Sequence, residues 1–301
     1  MPISGNQYVE PISGSMNRTL KVKDIVLEKH SPYQLIEVVE TEDYGRVLFL
    51  DSRFQTSEKD EFFYHEALVH PAMMTHPDPR NVLIIGGGDG GALEELLKYP
   101  SVERVTMVEL EPDVVETCKE YMRAVCGDAF SDPRLNLVIA DGRKVLEEAG
   151  GSYDVILLDL TDPLGPSKYL YTQEFYRLCA ARLNPGGLLG LHNDSPFFYP
   201  KAFNVISKTL DSVFPGKIQY VTYVVGYMLD FAFSVCSPAP LEIPSLDELT
   251  ARFRQRGLGG LMWYSPALHS ALGEIPGYLR RILNAPCRVS TDANPYEIDE
   301  I

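Results

Sequence analysis

Residues 82–109 read VLIIGGGDGGALEELLKYPSVERVTMVE, and this stretch decides the fold. VLII is a short apolar run, GGGDGG a glycine loop, ALEELLKYP has helical spacing, and RVTMVE is a second apolar run. Strand, tight turn, helix and strand make one βαβ unit. Downstream, LNLVIAD (135–141), DVILLDL (154–160) and LNPGGLLGLHN (183–193) repeat the apolar run. PDVVETCKEYM (112–122) and RKVLEEAG (143–150) lie between them as helices. Apolar strands alternating with helices predict a doubly wound, mostly parallel α/β sheet of Rossmann-like type, covered on both faces.

Upstream the pattern differs. LKVKDIVLEKH (20–30), YQLIEVVET (33–41) and GRVLFLD (45–51) are β-rich, with breaks at Ser31-Pro32 and Asp43-Tyr44-Gly45. From Thr56 to Met74 the spacing turns helical, with Thr56 or Ser57 as the expected cap. HPDPR (76–80) reads as a linker. Residues 1–78 are therefore expected to form a small N-terminal β-domain ending in a helix. Residues 79–301 are expected to form the catalytic domain with a C-terminal extension, in which SLDELTARFRQRG (245–257) is helical.

The chain has 301 residues with 27 Lys and Arg against 42 Asp and Glu, a net charge of −15. Phosphate binding needs a basic face, so nucleic acid is excluded as the main partner. No apolar run approaches the ~20 residues of a membrane span. The start, MPISGNQYVEPISGSM, lacks the basic-then-apolar pattern of a signal peptide. Five scattered cysteines without a C-x-x-C pair fit a reduced, cytoplasmic compartment.

Gly86, Gly88 and Gly91 match G-x-G-x-x-G between a strand and a helix, where the backbone can approach a nucleotide. Glu109 ends the next strand, where a ribose would be held. Asp89, inside the glycine loop, would repel a pyrophosphate. It suits a sulfonium nucleoside that presents an amine and no carboxylate. Asp89, Glu109, Asp141 and Asp159 follow successive strands, with Asp162 three residues beyond Asp159. In a parallel sheet those ends converge, so five carboxylates are expected to face one pocket built for a small cationic substrate. DLTDPLGP (159–166) is a rigid loop whose two acids can divide proton acceptance and amine orientation. YHEALVH (64–70) has one residue too many for the H-E-x-x-H zinc spacing, so no metal is expected. His70, His76, His192 and His269 read as structural or exposed. Asp230, inside the apolar run VGYMLDF (225–231), needs a partner.

These stretches resemble the polyamine aminopropyltransferases, the spermidine synthase family. VLIIGGGDGGALEELLKYPSVERVTMVEL and YDVILLDLTDPLGPSKYLYTQEFY carry the resemblance, joined upstream by the Tyr-His-Glu helix. It implies transfer of an aminopropyl group from decarboxylated S-adenosylmethionine, a co-substrate, to an amine, with no cofactor and no metal. It implies that Gln34 and Glu109 hold the ribose and that Asp141 with Gly142 holds the adenine, with Pro166 nearby. Asp89 and His65 would contact the amine chain, Asp159 would accept the proton, and Tyr64 and Asp162 would position the acceptor. It also implies a homodimer or homotetramer. The acceptor half departs from the pattern. TYVVGYMLDFAF stands where a Tyr-Pro-Ser-Gly segment is usual, and LHNDSPFF where the family is Gln-rich. DLTDP, LNPGGLLG and VSTDANPY look more like the subgroup that takes agmatine or triamines, or makes thermospermine, which moves the expectation away from putrescine. The alternatives are an S-adenosylmethionine-dependent methyltransferase on the same fold and a non-catalytic polyamine-binding protein.

Overall fold

The structure is a computed structural model that describes residues 3–4, 6–148 and 150–298. Strands β1 (Ile3–Ser4), β2 (Gln7–Ser13), β3 (Met16–His30), β4 (Leu35–Thr41), β5 (Arg46–Leu50) and β6 (Arg53–Ser57) form one antiparallel sheet in chain order. Asp51 and Ser52 join β5 to β6 at φ 46° and 64°, the left-handed pair that a two-residue hairpin requires. The helix expected from Thr56 starts later. Thr56 and Ser57 pair with Leu48 and Val47 as the end of β6, and helix α1 runs Phe62–Thr75. Ser57 is no cap, because the residue at the N-cap position of α1 is Glu61.

The second sheet holds β7 (Asn81–Gly86), β8 (Arg104–Glu109), β9 (Leu135–Ile139), β10 (Tyr153–Asp159), β11 (Leu183–Asp194), β12 (Gly216–Val224) and β13 (Leu229–Ser237). Their order is β12-β13-β11-β10-β7-β8-β9. The run from β11 to β9 is parallel, and β13 is antiparallel to both its neighbours. From β7 the chain builds outward to β8 and β9, then crosses back to β10. The loops after β7 and β10 therefore part and leave a crevice at the carboxyl ends.

The helices are α2 (Gly91–Leu97), α3 (Pro112–Tyr121), α4 (Arg123–Cys126), α5 (Gly142–Glu148), α6 (Gln173–Ala181), α7 (Pro200–Asp211), α8 (Leu246–Gln255), α9 (Pro266–His269) and α10 (Gly277–Leu283). Strand alternation divides them between two faces. Val82 and Ile84 of β7 pack with Leu68, Val69, Leu93 and Leu96 of α1 and α2. Leu83 and Ile85 pack with Leu146, Phe175 and Leu210 of α5, α6 and α7. The first sheet docks through Ile36, Val38 and Leu48 on Val114, Cys118 and Met122 at α3. No helix among the described residues is long and apolar enough to cross a membrane.

Helix α1 follows the first sheet in the chain but packs on the second, and it also fastens the C-terminal part. Glu66, 2% exposed, accepts backbone N–H bonds from Met262 (2.7 Å), Trp263 (2.9 Å) and Tyr264 (2.7 Å). Glu66→Gln turns one acceptor oxygen into a donor facing a donor. It is expected to cost about 3 kcal/mol in urea unfolding, the range for a charged hydrogen bond.

Candidate active site

The site begins where β7 meets β10. The Gly87 N–H donates to the Asp159 carbonyl at 2.9 Å. Gly86 has φ +83°, and a Cβ there would lie 2.0 Å from that same oxygen. A Cβ on Gly88 would lie 3.0 Å from Glu109 Oε2, and one on Gly91 would lie 2.2 Å from the His65 ring. Three predicted glycines thus leave room for three predicted site residues.

Asp159 is the hub. The Tyr64 hydroxyl donates to its Oδ1 at 3.0 Å, while its Oδ2 is out of solvent with no donor. Burial, reinforced by the Asp89 charge, pushes the Asp159 carboxyl up to about 7, against the pull of His65 and Tyr64. His65 lies between two acids, with Nδ1 2.8 Å from Glu61 and Nε2 3.3 Å from Asp89. Burial disfavours its charge, but Asp89 and Glu61 together hold it well above the ordinary histidine range. Burial likewise opposes ionisation of Asp89. The His65 charge and the Gly91 N–H, at 2.9 Å, outweigh it and leave Asp89 below its ordinary value. One ligand atom from each of His65, Asp89 and Asp159 lies within 4.8 Å of the others, a spacing that a metal ion would also accept. An imidazolium bonded at both nitrogens has no lone pair to give a metal. The carboxylates of Asp89 and Asp159, not the His65 ring, are the groups here that can accept from a cation.

Glu109, at the end of β8, is pushed up to about 7 by burial, although its Oε1 accepts the Glu111 N–H at 2.9 Å. Gln34 makes its side-chain bond to Glu111, not to Glu109. Its amide donates to Glu111, which is 3% exposed and has a second oxygen without a partner. Glu111 was not singled out from the sequence; its only signal is a second acid past the strand end. Asp141 is exposed at the next strand end, and its Oδ1 accepts the Arg143 N–H at 2.9 Å, capping α5. Gly142 is buried where a Cβ would lie 2.4 Å from Ile85. Asp162 and Pro166 lie on the exposed loop after β10.

That loop is braced from the C-terminal part. Glu297 accepts from Gly165 N at 2.9 Å and pairs with Lys168 at 2.7 Å. The Ile298 N–H donates to Pro163 O at 3.1 Å.

The structure adds groups that the sequence reading left aside. His192, read as structural or exposed, is buried and stacks on Phe231 at 5.1 Å, with the Tyr64 ring 6.2 Å away. Its Nε2 lies 2.9 Å from Leu160 O, and its Nδ1 has no partner. Tyr227 and Phe231 flank Tyr64 at 5.9 and 6.1 Å. Asp230 finds its partners in the Ser195 hydroxyl at 2.7 Å and the Tyr278 hydroxyl at 3.0 Å. Asp194, at the end of β11, is 1% exposed.

Comparison with known proteins gives the family and the fold. Residues 61–242 match the spermine/spermidine synthase domain, and residues 10–58 match the spermidine synthase tetramerisation domain. A polyamine aminopropyltransferase of Nitrosomonas europaea is 41% identical over 97% of this chain and 90% of its own. One from Korarchaeum cryptofilum is 40% identical over 99% of this chain and 94% of its own. A crystal structure of spermidine synthase in complex with the transition state analogue AdoDATO superposes with a TM-score of 0.87 at 31% identity. It covers 94% of this chain and 96% of that one. Spermidine synthase from Thermotoga maritima gives 0.85 at 31% identity over the same shares. Two matching family models, full-length relatives and a shared fold lead to one conclusion: the chain belongs to the spermidine synthase family and is a polyamine aminopropyltransferase.

Proposed function

We propose that the crevice moves an aminopropyl group from decarboxylated S-adenosylmethionine to a small polycationic amine. The acceptor nitrogen attacks the carbon beside the sulfonium. A C–N bond forms, the C–S bond breaks, and its electron pair goes to sulfur, releasing neutral 5'-methylthioadenosine. The proton lost by the attacking nitrogen goes to Asp159. One observation carries this reading: a buried carboxyl oxygen of Asp159 without a donor, on a group whose titration lies near 7. An alkyl ammonium titrates at about 10.4 and must lose its proton before attack. A base raised to about 7 narrows that gap, and burial against aromatic rings narrows it further.

The remaining roles are those the family resemblance implies. Glu109 and Gln34 hold the ribose, and Asp141 with Gly142 and Pro166 frames the adenine. Gly86 and Gly88 let the nucleoside approach the backbone. Tyr64 and Asp162 orient the attacking amine, and Asp89, held in place by His65, receives the aminopropyl ammonium. The acceptor is an amine longer than putrescine, such as agmatine or a triamine. The departure at 222–233, the buried Asp194 and the half-buried Asp230 support this choice. In this reading residues 1–78 form the N-terminal β-domain and residues 79–301 the catalytic domain. Helix α1 closes the first and carries Tyr64 and His65 into the second. A homotetramer or homodimer assembled through the N-terminal sheet fits the tetramerisation model. The five free cysteines fit a cytoplasmic setting.

Three measurements test the reading. First, Asp159→Asn keeps the size of the base and removes its proton affinity. Single-turnover release of methylthioadenosine should slow by about 10²–10⁴-fold, the usual range for a general base, with nucleoside affinity changed less than threefold. Near-normal turnover would remove Asp159 from the role. Second, Glu109 titrates near 7, and its ionised form is the better acceptor for ribose hydroxyls. Calorimetric affinity for methylthioadenosine should therefore rise as pH increases through about 7. In Glu109→Gln it should be weaker by about 1–3 kcal/mol and flat with pH. Third, purified protein is given decarboxylated S-adenosylmethionine with putrescine, cadaverine, agmatine, spermidine or norspermidine, and the amine products are identified by mass. Highest kcat/KM with agmatine or a triamine is expected. Strong preference for putrescine would overturn the acceptor assignment and leave the transfer reaction intact.

A further inference from the structure

The loop after β10 has little support of its own. Asp162, Leu164 and Pro166 are exposed, and the Ser167 hydroxyl bonds within the loop, to the carbonyls of Asp162 (2.6 Å) and Leu164 (2.7 Å). Among the described residues, the hydrogen bonds that tie 163–168 to anything outside 161–171 all go to Glu297 and Ile298. A second acid of the same C-terminal segment holds the neighbouring element. Asp292 grips Arg143 at two nitrogens: Nη1 donates to Oδ1 at 2.9 Å, and Nη2 donates to Oδ2. The Thr172 hydroxyl also donates to Asp292 Oδ1 at 2.7 Å, and the Asp292 N–H donates to Glu174 at 2.9 Å. Arg143 Nη1 reaches the Tyr169 carbonyl at 3.3 Å, so α5, the loop and the segment meet at one guanidinium.

Arg143 directly follows Asp141 and Gly142. Its N–H and that of Lys144 hold Asp141 Oδ1 at 2.9 and 3.3 Å, which leaves Oδ2 for a ligand donor. Gly142 sits against Ile85, so the start of α5 is fixed from the sheet side as well. The segment is itself firmly built. Thr291 and Asn294 bond across a tight turn, and Arg288 donates to the carbonyls of Asn294 and Pro295. The Ser290 N–H donates to Thr209 of α7 at 3.0 Å, and Ser290 Oγ accepts the Tyr296 N–H at 2.9 Å. Both acids are paired with cations, Asp292 with Arg143 and Glu297 with Lys168. Neither adds to the acids that await a cationic substrate.

We propose that residues 288–298 are a clasp that sets the spacing between the start of α5 and the loop after β10, with Asp292 and Glu297 as positioning residues for the nucleobase of the donor. This rests on the reading of Asp141, Gly142 and Pro166 as the adenine frame. Through Arg143, Asp292 fixes where Asp141 presents its remaining oxygen. Through Gly165 and Lys168, Glu297 holds Pro166 in place. A carboxylate oxygen accepts from the exocyclic amine of adenine and faces a second acceptor in the carbonyl of hypoxanthine. The clasp therefore governs discrimination between these two bases.

The test is a ratio of affinities, because general loosening of the fold weakens both ligands together and leaves the ratio alone. Methylthioadenosine and its 6-oxo analogue methylthioinosine are titrated calorimetrically into the full chain. The wild type is compared with Asp141→Asn, Asp292→Asn, Glu297→Gln and the combined Asp292→Asn/Glu297→Gln, each checked for folding by thermal unfolding. The wild type should bind methylthioadenosine ~100-fold tighter, the span of one charge-assisted hydrogen bond. Asp141→Asn should bring the ratio to about tenfold or less. Asp292→Asn and Glu297→Gln should each cut it by about threefold, and the combined variant by about tenfold. A ratio unchanged within about twofold in the combined variant, with Asp141→Asn lowering it, would overturn the clasp. If Asp141→Asn also leaves the ratio unchanged, the adenine reading falls instead. The affinity of the combined variant for methylthioadenosine then decides: a loss of about tenfold supports the clasp, and a value within about twofold of the wild type overturns it.

Discussion

The close approach of β7 to β10 governs the molecule. The Gly87 N–H reaches the Asp159 carbonyl at 2.9 Å, and a side chain on Gly86 would occupy the same space. The contact pulls the glycine loop and the end of β10 together at the point where the sheet order reverses. Asp159 is thereby buried beside Asp89. Two carboxylates cannot share a dry crevice fully ionised, so one titrates upward while the other leans on His65. The arrangement is relieved when a cation enters, which makes the chemistry of the ligand a consequence of backbone packing.

The parallel sheet was legible because its strands are buried on both faces and read as apolar runs. NVLIIG, RVTMVEL, LNLVIAD and DVILLDL match β7 to β10, with ends displaced by at most about two residues. The first sheet was legible only in its middle. Strands β2 and β6 carry mixed residues whose alternation depends on neighbours distant in sequence. Thr56 and Ser57 show the limit plainly, because Ser and Thr serve helix caps and strand edges equally well. Pairing with Leu48 and Val47 decided between the two, and pairing is not a local property. The tail from 237 offered one helix to the eye, and the structure adds α9 and α10.

The candidate site was legible where it follows strand ends. Asp89, Glu109, Asp159 and the Tyr64-His65 pair meet as the topology requires. Acids that depend on tertiary burial were less visible. Glu111 looks like a helix-start acid until Gln34 arrives from 77 residues away. Asp194 sits in LHNDSPFF, a segment whose letters suggest a turn, and only the pairing of β11 with β13 shows it sealed from water. His192 was set aside as bland for the same reason. Asp141 teaches the converse: a correct strand-end position leaves its carboxylate exposed and engaged in capping α5.

Tyr64, His65 and Glu66 are consecutive on α1, yet they touch Asp159, Asp89 and the 262–264 backbone respectively. A helix turns about 100° per residue, so three neighbours fan across most of its circumference. Substitutions at one of these positions disturb one contact. An inserted or deleted residue in the first turn of α1 rotates all three at once and disconnects base, loop acid and C-terminal segment together. This stretch should therefore accept changes of letter far more readily than changes of length.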